Sequence, residues 1–190
     1  MNILYLGPYR EGFCSKLQNC SEGIYRTEEK IALDFIKLNK FDFVISYGYR
    51  HIISKEIIEY MQNKIINLHI SYLPWNRGAD PNFWSFIEDT RKGVTIHLID
   101  EGTDTGDIIV QKEVKFQGDI TLRESYNILI REIEELFFEY WTVIYLGEYI
   151  PVVQNNYEGS LHYSKDKEKY NYLLVDGWDT PISKLIEMRK

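Results

Sequence analysis

Apolar positions along the chain fall into short runs and helical stripes that alternate. Ile3 to Leu6 form a run halted by Gly7-Pro8, the pattern of a buried first strand ending in a turn. Between Thr27 and Leu38, the residues Ile31, Ala32, Phe35 and Ile36 recur at helical spacing, with Thr27 placed to cap. Phe41 to Tyr47 is a second run, broken at Gly48. Ser54 to Met61 reads as a short helix capped by Ser54, and Lys64 to Ile70 as a third strand. Strands alternating with helices predict an α/β fold, a mostly parallel sheet with helices on both faces and ligands at the carboxyl ends of its strands.

Further on, Asp80 to Thr90 predicts a helix after the Pro74 to Pro81 loop, while Val94 to Ile99 and Ile108 to Val114 read as strands. From Thr121, the positions Leu122, Tyr126, Leu129, Ile133, Leu136, Tyr140 and Val143 alternate steps of four and three, giving one stripe on a long helix. Thr121 and Glu124 make a capping box and Gly147 stops the helix. The pattern therefore sets out a main domain over residues 1–150 and a more polar carboxyl-terminal extension over 151–190. In the extension, the Lys165 to Lys169 charge cluster reads as a solvated loop, and Trp178 and Leu185 as docking residues. Tyr140, Trp141 and Tyr145 are expected either in the core or at a homodimer interface.

Composition narrows the function classes. The chain carries 15 tyrosines, nine phenylalanines and four tryptophans, enough for a globular core and for clefts with flat walls. A net charge of -7 leaves no basic footprint for a phosphate backbone, so no nucleic-acid partner is expected. Cys14 and Cys20 have no ligand-spaced partners and read as free thiols. The amino-terminal apolar run is too short for a secretory signal, and no stretch reaches the ~20 apolar residues of a membrane span. A cytoplasmic protein without membrane association is expected.

Chemistry concentrates in two places. Asn67 and His69 stand two apart at the end of a predicted strand, so both side chains leave the same face while Leu68 and Ile70 leave the other. An amide and an imidazole aimed at one spot suit polarisation of a carbonyl and movement of a proton. Downstream, Asp100 to Asp107 crowds acids and glycines between two strands. That loop could be a tight acidic turn, could bind a hard cation, or could deliver a carboxylate to orient a histidine. His97, on the strand leading into it, reads as a structural histidine.

Taken together, Asn67-Leu68-His69-Ile70-Ser71-Tyr72-Leu73-Pro74, Arg77-Gly78-Ala79-Asp80-Pro81, Gly93-Val94-Thr95-Ile96-His97 and Asp104-Thr105-Gly106-Asp107-Ile108 resemble the 10-formyltetrahydrofolate-dependent formyltransferase family. The resemblance covers roughly residues 1 to 115 and implies a Rossmann-like formyltransferase catalytic domain with no metal. It implies that Asn67 holds the formyl oxygen as charge develops, that His69 adds to that stabilisation, and that Asp104 orients His69 and helps to deprotonate the attacking amine. The formyl donor, 10-formyltetrahydrofolate, is implied to lie along Ser46, Tyr47, Gly48, Tyr49, Arg50 and Ile52, with Asp100 and Gly102 opposite.

For the acceptor, Leu73 to Trp84 and the tail element Gly177-Trp178-Asp179-Thr180-Pro181 resemble the sugar N-formyltransferase branch, which acts on nucleotide-linked amino sugars for surface polysaccharide biosynthesis. This implies that Trp75, Phe83, Trp84 and Tyr72 offer stacking surface for a sugar or base and that Arg10 or Arg77 meets a pyrophosphate, with Gly78 and Asp80 nearby. Three alternatives remain. A glycinamide-ribonucleotide acceptor fits poorly with Gly7 to Gly12, which lacks a phosphate-cradling turn. A methionyl-tRNA acceptor goes with an added barrel domain, for which little chain follows the long helix. A formyl-tetrahydrofolate hydrolase would use water in place of the amine.

Overall fold

The computed structural model describes residues 1–155 and 157–188. Its first half runs β1 (Asn2–Leu6), α1 (Glu11–Asn19), β2 (Gly23–Thr27), α2 (Leu33–Asn39), β3 (Phe43–Ser46), α3 (Lys55–Met61) and β4 (Ile65–His69). There follow β5 (Arg77–Gly78), α4 (Pro81–Ile87), β6 (Gly93–Leu98), β7 (Ile108–Glu113), α5 (Leu122–Leu146), β8 (Leu161–His162) and α6 (Ile182–Met188). The main sheet has six strands in the order β2-β1-β3-β4-β6-β7, parallel from β2 to β4 and antiparallel through β6 and β7. β5 and β8 pair in parallel as a separate ribbon.

The inner parallel strands β1, β3 and β4 are apolar because helices cover both faces. On one face, Phe13 and Leu17 of α1 and Leu129, Ile133 and Phe137 of α5 close over Ile3, Tyr5, Ile45, Ile66 and Leu68. On the other, Ile36, Ile57 and Met61 from α2 and α3 pack on Leu4, Leu6, Val44 and Ile65. The tail adds a third cluster, with Leu173, Ile182 and Leu185 against Phe83 and Phe86 of α4 and Leu122 of α5.

α5 follows its predicted stripe as far as Leu136, beyond which Phe137, Trp141 and Ile144 take the buried face instead of Tyr140 and Val143; the reciprocal Thr121–Glu124 capping box stands at one end and Gly147 at φ 69° at the other. Two expectations are corrected. Thr27 closes β2, and the following helix begins after Ala32; Lys165 to Lys169 lie in a 3-10 helix over Ser164–Leu173 rather than in a loop. Of the two places open to Trp141, the structure gives the core, with its ring edge-on to Phe43 at 5.3 Å, while Tyr145 remains 41% exposed. Cys14 and Cys20 are free thiols, the first buried. Among the described residues, no helix is long and apolar enough to cross a membrane.

Candidate active site

β4 delivers the central residues by strand alternation. Ile66 and Leu68 enter the α1/α5 core, which leaves Asn67 and His69 on the opposite face at the strand's carboxyl end. The antiparallel register with β6 sets His97 directly opposite Asn67. The loop from β6 to β7 then brings in Asp104, whose backbone is left-handed at φ 53°. The structure thus gathers the three predicted residues and adds His97, which the sequence reading took as structural.

Hydrogen bonds order the group. Asp104 accepts from the Gly78 amide at 2.8 Å and from Asn67 Nδ2 at 3.1 Å. Because a carboxylate only accepts, the Asn67 NH2 group must face Asp104, and its second proton is left for His97 Nε2 at 3.2 Å. His97 Nδ1 lies 2.7 Å from the Leu98 carbonyl and donates to it, so its Nε2 is the acceptor when the ring is neutral. His69 Nε2 lies 3.1 Å from the Asn76 carbonyl and by the same reasoning carries a proton. That leaves His69 Nδ1 as a bare lone pair 3.6 Å from Asp104 Oδ2, the position of a proton acceptor.

Charge supports this assignment. Burial, with His97 nearby, pulls the His69 pKa below its ordinary 6.5 against the opposing pull of Asp104, so the ring is neutral at neutral pH. Burial works against the Asp104 carboxylate, but His69, His97 and the Gly78 amide outweigh it and hold the group well below the usual carboxylate range. With the His69 ring neutral, the hydrogen bonds from Gly78 and Asn67 remain to keep it ionised.

A cavity of about 710 Å³ opens over this cluster, with Asn67, His97 and Asp104 in its lining. Ser46, Tyr49, Arg50 and Ile52 line it together with Asp100 and Gly102 of the β6–β7 loop. Asp100 braces its own loop, accepting from the Gly102 amide at 3.0 Å and the Thr105 hydroxyl at 2.7 Å. Tyr47 turns the other way, 2% exposed, with its hydroxyl 3.2 Å from Glu134, so its ring is unavailable to the cavity. Gly48, at φ 73°, lies against Pro8 rather than in the lining.

The predicted acceptor residues scatter. Gly78 and Asp80 line the cavity beside Ser164, and Asp80 receives Lys167 Nζ at 2.6 Å. Arg77 sits in β5, its Nε 3.5 Å from the Ser160 carbonyl. Arg10 lies over the Tyr47 ring at 4.4 Å and 3.4 Å from the Tyr126 hydroxyl, outside the cavity lining. Trp75, 37% exposed, borders a different groove with Tyr72 and Arg91. Trp84 and Phe83 are corrections: Phe83 is buried in the cluster under the tail, and Trp84 is 3% exposed with the His162 ring stacked flat on it at 3.9 Å, so neither offers a face to a ligand.

Comparison with known proteins accords with this geometry. The formyl transferase family pattern matches residues 22–139. The crystal structure of the formyltransferase PseJ from Anoxybacillus kamchatkensis, in complex with UDP-4,6-dideoxy-4-formamido-L-AltNAc and tetrahydrofolate, superposes with a TM-score of 0.94 and 52% identity over 100% of both chains. A sugar N-formyltransferase from Shewanella sp. FDAARGOS_354 has the same fold, with a TM-score of 0.77 at 21% identity, covering 100% of this chain and 87% of its own. A methionyl-tRNA formyltransferase from Clostridium novyi is 36% identical over 154 residues, 80% of this chain and 50% of its own length. The chain thus spans about half the length of the curated relatives it matches.

Proposed function

The chain belongs to the formyl transferase family, and from that premise we propose that it transfers the formyl group of 10-formyltetrahydrofolate to the amine of a nucleotide-linked amino sugar. The observation that carries the reading is the Asn67–His69–Asp104 cluster under a cavity, in a chain that matches a sugar formyltransferase end to end. The acceptor best supported is the parent amine of that relative's bound product, a UDP-linked 4-amino-4,6-dideoxy sugar. It enters beside Gly78, Asp80 and Ser164, while the folate lies between the Ser46–Ile52 and Asp100–Gly102 segments.

In this reading the neutral amine attacks the formyl carbon, the C–N bond forms, and the carbonyl electrons move to oxygen. The resulting oxyanion takes from His97 Nε2 the second N–H of Asn67, while the first stays on Asp104 and keeps the amide group turned towards the site. The ammonium gives a proton to His69 Nδ1. The imidazolium is stabilised by Asp104 and becomes a second N–H donor near the oxyanion. That proton passes to the folate nitrogen as its bond to carbon breaks, leaving a formamide and tetrahydrofolate.

The test is turnover of 10-formyltetrahydrofolate with the UDP-linked amino sugar, glycinamide ribonucleotide and methionyl-tRNA, beside His69→Ala. Tetrahydrofolate release that needs the amino sugar and disappears in the variant is expected. Formate release without an acceptor would instead identify a hydrolase. A pH profile adds a sign: a base must be unprotonated, so kcat falls on the acid side, and the limb attributable to His69 has its midpoint below 6.5. A midpoint above that value would contradict the assignment of His69 as a neutral, buried acceptor.

A further inference from the structure

We propose that Glu88 is a positioning residue that sets the tautomer and orientation of His69 from the far side of the Asn76 peptide. The inference rests on the formyl-transfer reading for its kinetic consequence, though not for its structural one.

The His69 Nε2 proton goes to the Asn76 carbonyl, so the direction of that carbonyl decides which ring nitrogen faces the site. Asn76 is wholly buried and left-handed at φ 58°, and every polar group it owns is engaged. Its amide donates to Ser160 Oγ at 3.1 Å, its Nδ2 to Glu88 Oε2 at 3.1 Å, and its Oδ1 accepts from the Thr90 hydroxyl at 2.7 Å. Glu88 is where these bonds meet the tail, because the same Oε2 accepts the Ser160 hydroxyl at 2.7 Å. Its other oxygen lies 3.1 Å from His162 Nε2, close enough for an ion pair although the angle is not that of a hydrogen bond.

Two residues beyond Asn76, the same stretch of backbone supplies the Gly78 amide to Asp104. The Arg77 and Ala79 amides donate to the Ser160 and His162 carbonyls, so the loop is a strut between the tail and both partners in proton transfer. Removing the Glu88 carboxylate leaves the Asn76 side-chain amide only Ser160 Oγ at 3.4 Å, and leaves the Ser160 hydroxyl, which also receives the Asn76 backbone amide, without its acceptor. The peptide is then held by fewer and less well-anchored bonds, and the ring it orients loosens with it.

Glu88→Ala is expected to lower kcat roughly 10- to 100-fold, the scale of an ångström-level misplacement, with the folate KM unchanged. Glu88→Gln keeps an acceptor oxygen and is expected to retain most of kcat. The deciding readout is nitrogen-15 NMR of the four histidines, assigned by single substitutions, without any substrate. Wild type and Glu88→Gln should show His69 protonated at Nε2, and Glu88→Ala a mixture of tautomers. If Glu88→Ala does not fold, Ser160→Ala carries the same expectation at smaller size. An unaltered His69 tautomer in the alanine variants overturns the proposal whatever happens to kcat, and so does an altered tautomer with kcat intact. A wild-type protein inactive towards every amino sugar would sink the acceptor assignment and leave the NMR result to decide this one.

Discussion

Asp104→Asn lowers kcat by about a thousandfold while folate and acceptor still bind, the magnitude of losing a positioned acid–base group. The substitution is chosen because Asp104 sits at φ 53°, where asparagine is among the few side chains that settle without strain. Shape is kept, and two things are lost. The Gly78 amide and Asn67 Nδ2 both point N–H groups at the carboxylate, and an amide can offer an acceptor to only one of them. The imidazolium formed when His69 takes the proton also loses the charge that stabilises it. Single-turnover kinetics with saturating folate measure the effect. A loss of less than tenfold would show that proton transfer does not pass through this pair.

Gly78→Ala is expected to cost about 3 kcal/mol of folding stability, read from the urea midpoint, together with most of the activity. Gly78 has φ 84°, a region that an L side chain enters only with strain, and an added Cβ would collide with the His162 carbonyl oxygen. Either β5 moves off β8 or the backbone turns over. Both take the Gly78 amide away from Asp104, so the damage to catalysis exceeds what loss of folded protein explains. An alanine variant with wild-type stability would mean that the ribbon yields at no cost.

Strand alternation made Asn67 and His69 legible as a pair, because a period of two needs no knowledge of neighbours. The long helix was equally plain, since its stripe and both of its caps lie within the segment itself. His97 was not, although its alternation was visible: only the antiparallel register of β6 on β4 sets it against Asn67, and register is a property of two strands. The first helix and β2 were passed over for a different reason. α1 buries only Phe13, Cys14 and Leu17, and β2 is an edge strand, half exposed, with no apolar run to announce it. Trp84 misled because an aromatic near a site reads alike whether a ligand or the chain's own tail covers it; here His162 does.

The β5–β8 ribbon joins Arg77 to Ser160 across 83 positions of chain, and it is among the most non-local contacts in the molecule. Closing so long a loop is an entropic expense, and the ribbon's strands are two residues each with no buried side chain to offset it. The supports of the acid and base therefore rest on backbone bonds that little apolar burial backs, and the ribbon is a natural unit to detach in a sub-global opening. Warming should silence the enzyme by releasing residues that never touch a substrate, while the sheet beneath is still intact.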